Sequence, residues 1–66
     1  MLKIELEREE DGQWIAEVPA LPGVLAYGSS EAEARAHAVS LALRVIADRS
    51  DNGEPLPEEA RSLFAA

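Results

Sequence analysis

Pro19 and Pro22 stand in the middle of the chain, and each removes a backbone donor and fixes φ. No β-ladder can run through such a pair, so a strand arriving from Trp14 must end there. Trp14, Ala16 and Val18 alternate with Ile15 and Glu17, the period of a half-buried strand. Gly23 and Gly28 bracket the next stretch, and Val24 to Tyr27 between them has the length and composition of another strand. Ser30, with Glu33 three residues on, forms a capping box: the serine oxygen takes a free N–H of the first helical turn while the glutamate reaches back to the cap. The order read from these residues is strand, rigid turn, strand, helix.

Upstream, Leu2, Ile4 and Leu6 alternate with Lys3, Glu5 and Glu7, giving a first strand with one apolar and one charged face. Glu10-Asp11-Gly12 makes the turn, with Gly12 in the left-handed position, and the pairs become Arg8 with Trp14, Leu6 with Ala16, and Ile4 with Val18. A two-residue loop at Asp11-Gly12 would set Leu6 against Glu17 and turn one strand's apolar face outward, so the hydrophobic pattern selects the longer loop. The same register sets Glu5 directly against Glu17, with Glu7 one step along, and like charges in that position destabilise a sheet.

The helix is predicted from Ser30 to Ser50. Ala34, Ala38, Leu41 and Val45 form a stripe suited to lie across the sheet. Ala32, Ala36, Val39, Leu43, Ile46 and Ala47 form a second apolar arc, and Glu33, His37, Ser40, Arg44 and Asp48 share a narrow polar stripe. One three-stranded sheet cannot cover both arcs, so Val39, Leu43 and Ile46 are expected at an interface in a homodimer or higher oligomer. Asn52-Gly53 reads as a helix stop with a left-handed cap, with Pro55 and Pro57 just beyond it. Pro57-Glu58-Glu59-Ala60-Arg61 looks like a first helical turn, and residues 54–66 are expected to form a short turn leading into a loosely ordered tail. The fold class is therefore α+β: a three-stranded antiparallel meander with one long helix over one face, all in a single domain spanning residues 1–66.

A chain of 66 residues buries only about 60% of the surface its unfolded form exposes, a marginal core. With no cysteine, disulfides and thiolate metal sites are excluded, and oligomerisation remains as the staple. No apolar run approaches a membrane span and the N-terminal strand carries acids where a signal peptide is apolar, so a cytoplasmic protein is expected. The net charge of −7 opposes attraction to phosphate backbones and suits a basic protein partner better. Glu5, Glu7 and Glu17 are the candidate partner-binding residues. His37 shares its stripe with Glu33, Ser40 and Arg44, which predicts a solvated side chain making an i,i+4 contact. There is no catalytic triad, no metal-spaced His or Cys set and no phosphate loop, so no catalytic residue, metal or cofactor is expected.

In order along the chain, Trp14, Glu17, Pro19, Leu21-Pro22-Gly23, Gly28, Ser30 and Glu33-Ala34, followed by an alanine-rich helix, resemble the HicB family of antitoxins. The resemblance covers residues 1–50. It implies a partial ribonuclease H fold and a protein that is not an enzyme but binds and neutralises a small basic HicA-like toxin that cuts messenger RNA. Many HicB antitoxins add a C-terminal DNA-binding domain for which these residues leave no room, so operator binding is not implied. A homo-oligomeric interaction protein without a toxin would show the same features. A metal-dependent nuclease using Glu5 and Glu17, suggested by the likeness to ribonuclease H, lacks a further acid to complete its site.

Overall fold

In a computed structural model that describes residues 2–64, the elements run β1 (Glu5–Arg8), β2 (Trp14–Glu17), β3 (Leu25–Gly28), α1 (Glu31–Asp51) and α2 (Glu58–Arg61). The sheet order is β1-β2-β3, both pairs are antiparallel, and α1 packs on one face. The first turn forms as the hydrophobic pattern requires. Glu9 N–H donates to Gln13 O at 2.7 Å, Gly12 N–H donates to Glu9 O at 3.0 Å, and Gly12 has φ +88°. The register is Glu5 with Glu17, Leu6 with Ala16, Glu7 with Ile15 and Arg8 with Trp14.

The prolines do more than end a strand. Leu21-Pro22-Gly23-Val24 closes through Val24 N–H to Leu21 O at 2.9 Å, with Gly23 at φ +88°, the arrangement of a type II turn. It is entered through Leu21 N–H to Val18 O at 2.9 Å and locked to β2 by Val18 N–H to Val24 O at 3.0 Å. These paired turns point Val18, Leu21 and Val24 inward, and Leu21 and Val18 are the largest fully buried side chains. The third strand consequently starts at Leu25, one residue later than the apolar run suggests.

The helix buries Ala34, Ala38, Ala42 and Ile46, while Leu41 and Val45 are only half-buried. This corrects two expectations: the sheet-facing stripe runs through Ala42 and Ile46, and Ile46 belongs to the protomer's own core, 7% exposed, rather than to an outer interface. The cause is the i,i+4 row of alanines, which lies oblique to the helix axis and lets the helix settle into contact along it. Contact is closest at Gly28, where an added Cβ would collide with the backbone nitrogen of Ala34 and come within 2.9 Å of its Cα.

Both helix ends are closed. Ser30 Oγ accepts Glu33 N–H at 3.1 Å, and Glu33 Oε1 accepts Ser29 N–H at 2.9 Å and the Ser29 hydroxyl at 3.3 Å. The capping box therefore reaches one residue further back than the ordinary form. At the other end Gly53 takes φ +67°, Glu54 N–H donates to Arg49 O at 2.8 Å and Gly53 N–H to Ser50 O at 3.2 Å, a Schellman closure. The chain then turns back into the short helix α2, whose Ala60 is wholly buried in the common core with Leu56 packed against it. Residues 54–64 thus include a packed turn, and the end of the expected tail, 65–66, lies outside the described residues. Among the described residues no helix is long and apolar enough to cross a membrane.

This packing can be tested at two positions. Gly28→Ala is expected to destabilise the protein by about 1–3 kcal/mol, because the obstacle is backbone and cannot rotate away; denaturant unfolding measures it, and a neutral result would mean α1 can shift on the sheet. The second position is Glu33, whose carboxyl is held below the usual carboxylate range, first by the Ser29 N–H, then by the Ser29 hydroxyl, with a smaller contribution from the charge of His37. A lowered folded pKa contributes stability that is present above the unfolded glutamate pKa and is lost as pH falls through the folded value. Glu33→Gln should therefore be less stable than wild type at neutral pH, with the gap closing as pH falls below the ordinary glutamate range and through the lowered folded value; a gap that stays constant with pH would sink the assignment.

Candidate protein-binding face

Backbone pairing decides which side chains share the uncovered face. Val18 N–H bonds Val24 O, so residues 14, 16 and 18 of the second strand exchange hydrogen bonds with β3, and Glu9 N–H to Gln13 O makes 15 and 17 the residues that exchange them with β1. Side chains alternate along each strand, and Ala16 lies in the core beneath α1. Glu5, Glu7, Ile15, Glu17, Leu25 and Tyr27 therefore project together on the opposite face, in two rows: Glu5–Glu17–Leu25 and Glu7–Ile15–Tyr27.

The three predicted partner-binding glutamates are brought together and all are exposed. Glu5 and Glu17 are direct partners, yet they form a hydrogen-bonded pair, whose Cα atoms stand about 5.5 Å apart rather than the roughly 4.5 Å of the alternate pair type. That spacing, with water around both carboxylates, makes the like-charge pair tolerable. The acids border an apolar strip of Ile15, Leu25 and Tyr27, of which Tyr27 is 55% exposed. The alternation pattern by itself does not join these three to the glutamates. Ile15 is accessible from the hairpin register, whereas Leu25 and Tyr27 require the geometry of the proline turns, which fixes the pairing of β3.

His37 is exposed, as its stripe predicts, but it is not confined to contacts along the helix: its Nδ1 lies 2.8 Å from Tyr27 O and ties α1 to β3. Tyr27 belongs to a pair that does not exchange bonds with β2, so this carbonyl points off the sheet edge, and His37 occupies it. That backbone carbonyl is, among the described residues, the hydrogen-bond partner of the His37 ring. Among the described residues no group of three His, Cys, Asp or Glu side chains could hold a metal ion.

A second surface lies on the helix side. Leu2, Ile4, Val18, Val39, Ala42 and Leu43 line an apolar groove of about 120 Å³. Val39 and Leu43, predicted at an oligomer interface, are 41% and 56% exposed there. Ile46 does not join them.

Scans against protein-family models, curated proteins and solved structures find no match to this chain.

The outer face carries its own test. Glu17→Lys converts the pair with Glu5 into opposite charges and is expected to raise stability by about 0.2–1 kcal/mol in urea unfolding. A loss of stability would mean that these carboxylates have structural partners in solution.

Proposed function

We propose that the chain is a HicB-like antitoxin, a cytoplasmic protein-binding module that holds a small basic RNA-cutting toxin against its outer sheet face. The observation that supports this most directly is the juxtaposition of half-buried Ile15 and exposed Leu25 and Tyr27 with Glu5, Glu7 and Glu17 on one sheet face. An aromatic and aliphatic centre that excludes water, with charge around it, is the anatomy of a protein interface. The acids steer a basic partner to the face, and the apolar strip holds it once docked. A standard interface takes about 800 Å² from each partner. That is about a sixth of the total surface of 4668 Å², so the outer face would form the centre of the contact, with the surface around it completing the area. The ordered motif residues from Trp14 to Ala34 support the same family, and the proposed action is occlusion of the toxin, with no chemistry on this chain.

Self-association is a second reading, favoured by the groove where Val39 and Leu43 lie beside Leu2 and Ile4. The groove lies on the helix side of the sheet, away from Ile15, Leu25 and Tyr27, and so leaves that apolar strip open to a partner.

The test is surface plasmon resonance against the small basic product of a neighbouring gene, at low and high salt. Glu5→Lys with Glu17→Lys is expected to slow association and flatten its salt dependence. Tyr27→Ala is expected to speed dissociation by about thirtyfold, the effect of losing a central aromatic anchor worth about 2 kcal/mol. Unchanged binding in both variants would remove this face from the interface, and no binding by wild type would remove the antitoxin reading.

A further inference from the structure

A three-stranded sheet has two edges, and here they differ. On β3 the outward carbonyl of Tyr27 is occupied by His37 at 2.8 Å. On β1 the residues that do not exchange hydrogen bonds with β2 are Leu6 and Arg8, and by the same alternation Ile4, so their N–H and C=O groups point away from the sheet. Among the described residues no side chain or loop hydrogen-bonds to those groups. Pairing with β2 stops at Glu5 because Pro19, opposite Lys3, has no N–H to give. Residues 2–4 nevertheless keep the alternation of a strand, with Leu2 and Ile4 half-buried and Lys3 exposed. The apolar groove runs along this same edge, with Leu2 and Ile4 in its wall.

We infer that a second copy of the chain docks on this edge, its β1 antiparallel to the first and the two-fold axis passing between the two Ile4 residues, so that two sheets become one of six strands. The side chains select this register. Centred on Ile4, it pairs Leu2 with Leu6 of the second copy and Ile4 with Ile4 on the inner face. On the outer face it pairs Lys3 with Glu5 of the second copy, twice. Opposite charges directly across a ladder stabilise it, and these pairs are of the closer, non-hydrogen-bonded type. Centring on Leu6 instead would set Glu5 against Glu7 of the second copy twice and Ile4 against Arg8, which the charges oppose. Lysine on an edge strand ordinarily guards against pairing; here it meets a carboxylate placed to neutralise it. A two-fold axis perpendicular to the sheet keeps both helices on one side, so the two grooves meet and Val39 and Leu43 of each copy close over Ile4. The inference rests on the self-association reading and supplies its geometry.

Sedimentation equilibrium of the full chain tests it through a charge swap. Lys3→Glu and Glu5→Lys, made singly, are each expected to weaken the dimer about tenfold or more, since two pairs turn from attractive to repulsive. The double swap Lys3→Glu with Glu5→Lys should return the dissociation constant to within about threefold of wild type. Circular dichroism checks that each variant is folded. Independently, the amides of Ile4 and Leu6 should be protected from hydrogen exchange only at concentrations where the dimer is populated. A dimer indifferent to the single reversals, or not recovered by the swap, or with unprotected amides at Ile4 and Leu6, overturns this register while leaving self-association standing. A wild type that stays monomeric overturns both.

Discussion

The contact on which this structure depends is the close approach of α1 to β3, where Gly28 leaves room for the backbone of Ala34. A helix held that near the sheet can carry only small side chains on its contact row, and Ala34, Ala38 and Ala42 occupy it. Each alanine contributes one methyl group, so the larger share of apolar burial has to come from elsewhere. It comes from the proline turns, whose Val18, Leu21 and Val24 fold under the sheet, from Ile46 at the far end of the row, and from Ala60 and Leu56 as the chain returns. The same tightness leaves Val39 and Leu43 outside, because a helix seated on its alanine row presents its bulky neighbours to the flank.

The hairpin is legible in the sequence because two independent constraints agree. A period-2 pattern on both strands admits one register that keeps Leu6 and Ala16 on the same face, and Gly12 supplies the positive φ that the three-residue loop of that register requires. Helix ends are legible for a similar reason, since Ser30 and Gly53 act through backbone groups within a few residues of themselves. Burial along the helix is less so. A wheel places Leu41, Val45, Ala42 and Ile46 within a broad arc and cannot say how a helix crosses its sheet; the crossing is set by Gly28, a residue of another element. Leu21 reads as part of a turn, and nothing local marks it as the largest side chain at full burial. The bond from His37 to Tyr27 O likewise joins positions that only the assembled fold brings together.

For the candidate site the division is the same. Glu5, Glu7 and Glu17 come from the hairpin register, while Leu25 and Tyr27 depend on how a type II turn at Leu21 to Val24 sets β3 beside β2. The difference changes the character of the face. Three carboxylates alone attract any cation and discriminate poorly, since exposed charges are screened within about a Debye length, roughly 8–10 Å. On the proposed reading, carboxylates around an exposed tyrosine and leucine favour a partner that is both basic and apolar at one spot, as a protein surface is.

The two surfaces also constrain each other. In the inferred dimer Glu5 is engaged by Lys3 of the second copy, so its charge is largely spent within the sheet and contributes little to a partner on the outer face. Glu7 and Glu17, flanking Ile15 and within reach of Tyr27, then carry the steering. The two-fold axis places a second such set on the same continuous face, because antiparallel pairing at β1 leaves both outer surfaces pointing one way. A six-stranded outer face therefore offers two acidic and apolar patches related by symmetry, and a basic partner binding one of them leaves the other free. This arrangement also accounts for Lys3, the one lysine, just ahead of β1: on a monomer it faces water at an open edge, and in the inferred dimer it is what allows acids on neighbouring strands to share a face without driving the copies apart.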